Sequence, residues 1–218
     1  MDRVRPEIIK ISPTQPEEAL VNYAAEQIRK GQVISVPTDT YYGLAADPFN
    51  LRAVERIYEL KERGRHKPLS LIVSSADQAE ELASSLPDEF HILAEKFWPG
   101  PLTIIVKAAP RLPLKVTANT GNIAVRLPAT PIAVAIAKAA GSPITSTSAS
   151  LTGMPDCVTA QEVRQQMGDR LPIVVDGGTS PHSAFTTIVS LAENHGGWRL
   201  LREGVIPAHQ IEDLLGDQ

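Results

Sequence analysis

The chain has 218 residues, of which 43% are hydrophobic and 21% charged, with a formal net charge of −4 at pH 7. That balance describes an ordinary globular protein with material for one large domain, and it excludes a generic nucleic-acid coat, whose affinity needs an excess of Lys and Arg against phosphate. No apolar run approaches the roughly 18 residues of a membrane span, and no apolar h-region follows Met1-Asp2-Arg3-Val4-Arg5-Pro6, so a cytoplasmic protein without a membrane partner is expected.

Glu17 to Lys30 places Leu20, Val21, Ala24, Ala25 and Ile28 at helical spacing, with Gly31 where a terminating glycine belongs. Gln32 to Val36 is a short β-branched run stopped by Pro37, and Leu51, Val54, Ile57 and Tyr58 mark a second helix behind Asn50 as N-cap. Leu69 to Val73 is apolar enough to be buried on both faces, and Ser75 with Gln78 sits at capping-box spacing before another helix. A helix through Phe90–Phe97, strands at 102–106 and 123–127, and an alanine-rich helix from Ile132 to Ala140 follow. Thr159 and Glu162 form a second capping pair. Strands are expected at 173–176, 187–189 and 198–201, and Pro207 opens a last helix as an N1 proline. Consecutive strands near both ends argue for a mixed α/β (α+β) fold with a twisted mixed sheet flanked by helices.

Chemistry concentrates in a few places. Lys61-Glu62-Arg63-Gly64-Arg65-His66-Lys67-Pro68 crowds four cations onto one turn, within about one Debye length, roughly 10 Å at 0.1 M salt, so it reads either as a solvated basic turn or as a polyanion site. Pro37-Thr38-Asp39-Thr40-Tyr41-Tyr42-Gly43 follows a strand end, where α/β proteins present ligand contacts; an ordinary turn satisfied by Thr38 and Asp39 is the alternative. Pro143 to Gly153 is rich in hydroxyls, which ligate phosphate, carboxylate or metal-bound water without committing charge. Arg126 and Arg202 each end a short apolar strand and can present a guanidinium to carboxylate or phosphate, an ordinary surface ion pair being the alternative for each. Cys157, the only cysteine, excludes an internal disulfide and reads as a small filler. Five scattered histidines without HExxH spacing do not make a metal site.

In order, PTDTYYGL, KERGRHKPLSL, WPGPLT, AVRLP, STSASLTG, DGG and LLREG resemble the motif series of the YrdC family, the single-domain L-threonylcarbamoyladenylate synthases, over roughly residues 8–206 of one domain, 1–218. The resemblance implies a three-layer fold around a concave, positively charged cleft. It also implies a nucleotidyltransferase that condenses L-threonine, bicarbonate and ATP, with Mg²⁺, to threonylcarbamoyl-AMP and pyrophosphate. The product would serve tRNA modification through tRNA threonylcarbamoyl-transfer proteins. By match to the family's motifs, Lys61 and Arg65 hold ATP phosphates, Arg63 completes the KxR pattern, and Arg202 contacts the nucleotide. Thr38, Thr117 and Arg126 orient threonine, Ser148 stands between the two ligands, and Thr186 replaces a usual serine. Lys61 and Arg65 are expected to be surface cations whose removal leaves the fold intact.

Three departures stand out. Ser150 occupies the place of the family's asparagine and is expected to reach the nucleotide weakly, Glu203 replaces the usual proline after Arg202, and the extra domain of the longer Sua-type members is not expected. The alternatives are a tRNA- or double-stranded-RNA-binding protein without synthase activity, or a divergent member with another substrate.

Overall fold

Side-chain alternation along short strands decides which parts of this protein are covered and which are left open. The computed structural model describes residues 6–61, 68–181, 184–192 and 197–216. Arg63 and Arg65, with the rest of the basic turn between Lys61 and Pro68, lie outside the described residues. The strands are β1 (Glu7–Lys10), β2 (Ile34–Val36), β3 (Gly43–Ala45), β4 (Ser70–Ile72), β5 (Leu102–Lys107), β6 (Asn122–Arg126), β7 (Ile144–Ser148), β8 (Ile173–Asp176), β9 (Thr187–Ser190) and β10 (Arg199–Arg202). They form one mixed sheet, as the order of elements in the sequence predicts, with the strands in the order β1-β8-β2-β3-β7-β4-β6-β5-β9-β10.

In β8, Val174 joins an apolar cluster on one face, while Ile173 and Val175 join a second cluster on the other. The first cluster is capped by α2 (Leu51–Lys61), α3 (Ala76–Leu82), α4 (Asp88–Phe97), α7 (Ala160–Met167) and α8 (Ala208–Leu215), through residues such as Ile57, Leu82, Phe90, Val163 and Ile211. The second is capped by α1 (Glu18–Arg29) and α6 (Pro131–Ala140), through Val21, Ile28, Ile132 and Ile136. Two helices cannot span ten strands. Beyond Ile72 and Ile144 the second face changes composition: Ser70, Ser146, Thr103, Ile105, Ala124 and Arg126 point where α1 and α6 do not reach. Register lines them up, with Ser70 opposite both Ala124 and Ser146, and Ile105 opposite Ala124.

Local signals explain most element boundaries. Gly31 takes φ 79° just past α1, the left-handed conformation that ends a helix cheaply in glycine. Asn50 Oδ1 accepts from Arg52 N and Ala53 N at 3.1 and 3.2 Å, and the Thr159–Glu162 capping box is complete. The Ser75 pair is only half of one: Ser75 Oγ accepts from Gln78 N at 3.2 Å, but Gln78 Oε1 accepts from Ser74 N instead. Pro207 is the N-cap of α8 rather than its first residue. Three of the named elements have no counterpart among those expected from the sequence: β1, β3 and the four-residue α5 (Leu114–Thr117). β3 exists because it is paired on both sides, with β2 and β7.

Cys157 is fully buried among apolar neighbours, and burial, reinforced by Glu162 and Asp156 against Lys61, pushes its thiol from 9.0 up to about 12. Burial likewise raises the Tyr42 hydroxyl from 10.0 to about 12, with Asp176 adding to it and the Gly177 N–H opposing. Both folded values exceed the unfolded ones, so the stability they contribute is whole below pH 9 and is lost as pH climbs toward 12. Urea unfolding across that range should show stability falling from pH 9 upward, with Cys157→Ala flattening the first part of the fall. A flat profile in the parent would contradict the burial of both groups.

Candidate active site

The uncovered half of the sheet face forms the floor of a cavity of about 400 Å³. Thr38, Arg126, Ser148, Thr186 and Arg202 all stand on its wall. Among the described residues that wall carries two arginines, many hydroxyls and no carboxylate. A second cavity of about 660 Å³ shares Pro68, Ile105 and Ala124 with the first and continues along the same face toward Lys107, Asn122 and Arg199.

The loop after β2 is a turn and a site wall at once. Thr38 Oγ1 donates to Tyr41 O at 2.7 Å and accepts from Thr40 N at 3.1 Å. Asp39 instead leaves the loop to meet Arg126 from the end of β6, in a salt bridge where the side chains are 5% and 6% exposed. Arg126 also donates Nε to Gly100 O at 3.1 Å and Nη1 to Thr40 Oγ1 at 3.0 Å. Burial lowers the Arg126 pKa, and the Asp39 charge and hydrogen bond oppose it. Three of five guanidinium hydrogens are thereby spent on fixing the group, and two remain for a ligand.

Arg202 ends β10. Its Nε and Nη2 donate to Thr186 O and Thr186 Oγ1, each at 3.0 Å, and its guanidinium lies 4.7 Å from the centre of the Phe185 ring. Phe185 is 46% exposed and packs against Tyr41 at 5.1 Å. Thr186 Oγ1 accepts from Arg202 and from Thr103 Oγ1 at 3.0 Å, so its own hydrogen is left to donate. Burial lowers the Arg202 pKa; the Asp156 charge raises it, Arg126 lowers it further and Tyr41 opposes. Gly204 presses on this segment: a Cβ there would lie 2.2 Å from Phe185 O and 2.6 Å from Thr186 C.

Lys61, the last residue of α2, is 5% exposed and not a surface cation. Its Nζ donates to Ser148 O, Ser148 Oγ and Ser150 O at 2.5, 2.9 and 2.8 Å, which accounts for all three ammonium hydrogens. The expectation that its removal spares the fold is therefore corrected. Ser150 is 3% exposed and stands behind Ser148 rather than on the wall. Its Oγ lies 3.1 Å from Ser148 Oγ and 2.5 Å from Asp156 Oδ1. Ser150 Oγ is the donor in both contacts, so its one hydrogen serves Ser148 Oγ or Asp156 Oδ1, while Ser148 Oγ accepts from Lys61 and keeps its own hydrogen. Among the described residues the contacts of Ser150 are internal, and its hydroxyl does not line the cavity.

Thr117 is not brought to the cavity. It is 2% exposed at the end of α5, and its hydroxyl donates back to Leu114 O at 3.3 Å. Asp39, Thr40 and Phe185 contact the two arginines and are absent from the expected site; Asp39 was flagged only by its place between two threonines, and Phe185 by nothing.

The sequence model of the Sua5/YciO/YrdC family, described as "Telomere recombination", matches residues 26–204. This chain belongs to that family. It is 35% identical to the threonylcarbamoyl-AMP synthase of Pyrococcus abyssi over 92% of its own length and 58% of the relative's. It is also 35% identical to a putative threonylcarbamoyl-AMP synthase of Mycobacterium tuberculosis, covering 94% of this chain and 92% of that one. The crystal structure of P. abyssi Sua5 complexed with L-threonine superposes with a TM-score of 0.92 at 34% identity, covering 96% of this chain and 61% of that chain. The chain thus spans about three fifths of the P. abyssi Sua5-type protein, and its fold is that of the Sua5/YciO/YrdC domain. Among the described residues no helix is long and apolar enough to cross a membrane.

Breaking the buried Asp39–Arg126 pair from either side should destabilise the domain by about 3–5 kcal/mol, because each half leaves an uncompensated charge inside. Asp39→Ala, Arg126→Ala and the double variant, compared by urea unfolding, should show the double costing less than the sum. Lys61→Ala should cost about 1.5–3 kcal/mol in the same assay, and an unchanged midpoint would return Lys61 to the surface.

Proposed function

We propose that this chain is a threonylcarbamoyl-AMP synthase, a nucleotidyltransferase that condenses L-threonine, bicarbonate and ATP with release of pyrophosphate and so supplies tRNA modification. Membership of a family whose relatives carry that name supports it. The observation that carries it is the cavity wall: two buried or half-buried arginines and donor hydroxyls, with no carboxylate among the described residues. Such a wall is built for anions.

The reaction joins two of them. Bicarbonate and the threonine amine give an N-carboxylate as the carbon–nitrogen bond forms and a bicarbonate oxygen leaves as water, and one oxygen of that N-carboxylate attacks the α-phosphorus of ATP as the bond to pyrophosphate breaks on the opposite side. No protein nucleophile is required, so the residues act by holding both anions in line and offsetting the charge that builds on the phosphoryl oxygens. Arg126 is rigid, with two unspent hydrogens, and suits the carboxylate of threonine; Thr38 beside it lines the same wall. Arg202, clamped by Thr186 and Phe185, suits the nucleotide, and Thr186 offers its remaining hydrogen to the same ligand. Ser148 lines the same wall and accepts from Lys61, and the resemblance assigns Lys61 and Arg65 to the phosphates, with Arg63 completing the KxR pattern. Lys61 must trade one internal bond for a phosphate oxygen if it touches ATP at all, and Thr117 acts only through the packing of α5.

Mg²⁺ would neutralise part of the triphosphate charge and favour pyrophosphate departure. Among the described residues no three metal-binding side chains cluster, which fits a cation shared with substrate phosphates rather than a cage made by protein.

Pyrophosphate release should require both L-threonine and bicarbonate. Serine lacks one methyl and should be about 10–200-fold poorer in kcat/KM. Turnover indifferent to bicarbonate would overturn the carbamate route. Arg202→Ala should raise the KM for ATP far more than that for threonine, as read by titrating each against a fixed excess of the other.

A further inference from the structure

Arg202 stands at the least secured place in the sheet. Its strand, β10, closes the strand order and pairs only with β9 among the described residues. Arg199 lies opposite Ser190 and Leu200 opposite Val189, and then the register slips: Arg202 faces Ile188, and Leu201 is an extra residue. A bulge of this kind bends a strand and re-aims the side chain beside it. It also ends the ladder, so strand pairing alone does not fix where the guanidinium sits.

One hydroxyl ties down the chain beyond it. Thr187, the first residue of β9 and fully buried, accepts from Gly204 N and Ile206 N, each at 3.0 Å, and donates to Ile206 O at 2.6 Å. Between those two bonds Val205 N donates to Phe185 O at 3.0 Å. The residue before it, Thr186, holds the guanidinium itself through its carbonyl and hydroxyl. Two adjacent threonines therefore secure one arginine, Thr186 at its head and Thr187 at the backbone that follows it. With one hydrogen given and two accepted, the Thr187 hydroxyl has no capacity left for a ligand, and Thr187 lines neither of the two joined cavities. We propose that Thr187 is a positioning residue of the nucleotide site, acting through Arg202: its hydroxyl holds the turn at 204–206 against β9 and so replaces the ladder that the bulge at Leu201 ends. The inference rests on the reading of Arg202 as an ATP contact.

The test uses the full chain and three variants, with the affinities for ATP and for L-threonine read separately by titration calorimetry. Thr187→Val keeps the branched shape and strips the hydroxyl, Thr187→Ser returns the hydroxyl without the methyl, and Thr187→Cys offers a weaker donor of similar size. Thr187→Val should weaken ATP binding at least about tenfold while threonine binding changes by less than about twofold, because a displaced Arg202 loses a charge-assisted contact and Arg126 is untouched. Thr187→Ser should bind ATP nearly as the parent does, with Thr187→Cys between the two. In an Arg202→Ala background Thr187→Val should cost ATP binding little more, since a residue that acts through another adds nothing once that other is gone. Unchanged ATP affinity in Thr187→Val overturns the proposal. So does an equal loss for both ligands, which marks a merely structural threonine, or an undiminished loss in the Arg202→Ala background. Should Thr187→Val fail to fold, as read by urea unfolding, Thr187→Cys is judged by the same three outcomes. A parent that binds no ATP sinks the nucleotide reading and the proposal with it. A parent that binds ATP and loses it in Arg202→Ala, beside a Thr187→Val that matches the parent, overturns the role of Thr187 alone.

Discussion

A ten-stranded sheet needs cover on both faces, and this chain supplies helices for one face and part of the other. Everything at the candidate site follows from that shortfall. Where α1 and α6 end, the residues on their side of the sheet can no longer be apolar without exposing a greasy floor, and serine, threonine, alanine and arginine take over at alternate positions of β4, β5, β6 and β7. Of these strands, β4, β5 and β6 stay apolar on their opposite side, through Leu71, Ile104 and Val125, whereas β7 turns the buried Thr145 and Thr147 there. One period-2 pattern therefore carries a core on one side and a binding floor on the other.

The cations at this floor are not loose charges awaiting a ligand. Arg126 spends hydrogens on Asp39, Thr40 and Gly100, Arg202 on Thr186, and Lys61 all three of its own on the turn at Ser148 to Ser150. Each is desolvated or held before substrate arrives, which is the cost of preorganisation and the source of its benefit in charge stabilisation. Under the proposed function, folding and catalysis draw on the same groups, so the usual separation between stability residues and site residues does not hold for Lys61 or Arg126.

The sequence made the elements legible where punctuation was strong. Asn50, Gly31 and the Thr159–Glu162 pair are local devices, and the structure uses them as their spacing predicts. β3 was illegible because three residues, one a glycine, have no periodicity of their own and are strands only through their neighbours. The site was legible as a set of motifs and not as geometry. Nothing in KERGRHKPLSL distinguishes a lysine turned inward from one facing water, since α2 ends at that residue and the choice depends on oxygens 87 and 89 residues away. Ser150 was equally silent: it reads as a deficit until Asp156, the acceptor of its hydrogen bond, is in view.

Gly204 shows how little material some of this geometry rests on. The turn after β10 lies so close to Phe185 and Thr186 that a side chain at 204 would have to displace the backbone carrying both, and with it the oxygens that hold Arg202. Any residue larger than glycine at this position would in effect mutate the anchor of an arginine two places earlier and the aromatic ring stacked on it. Drift at 204 is thus barred for a reason invisible in its own chemistry, and the reach of the arginine is set by an atom the chain does without.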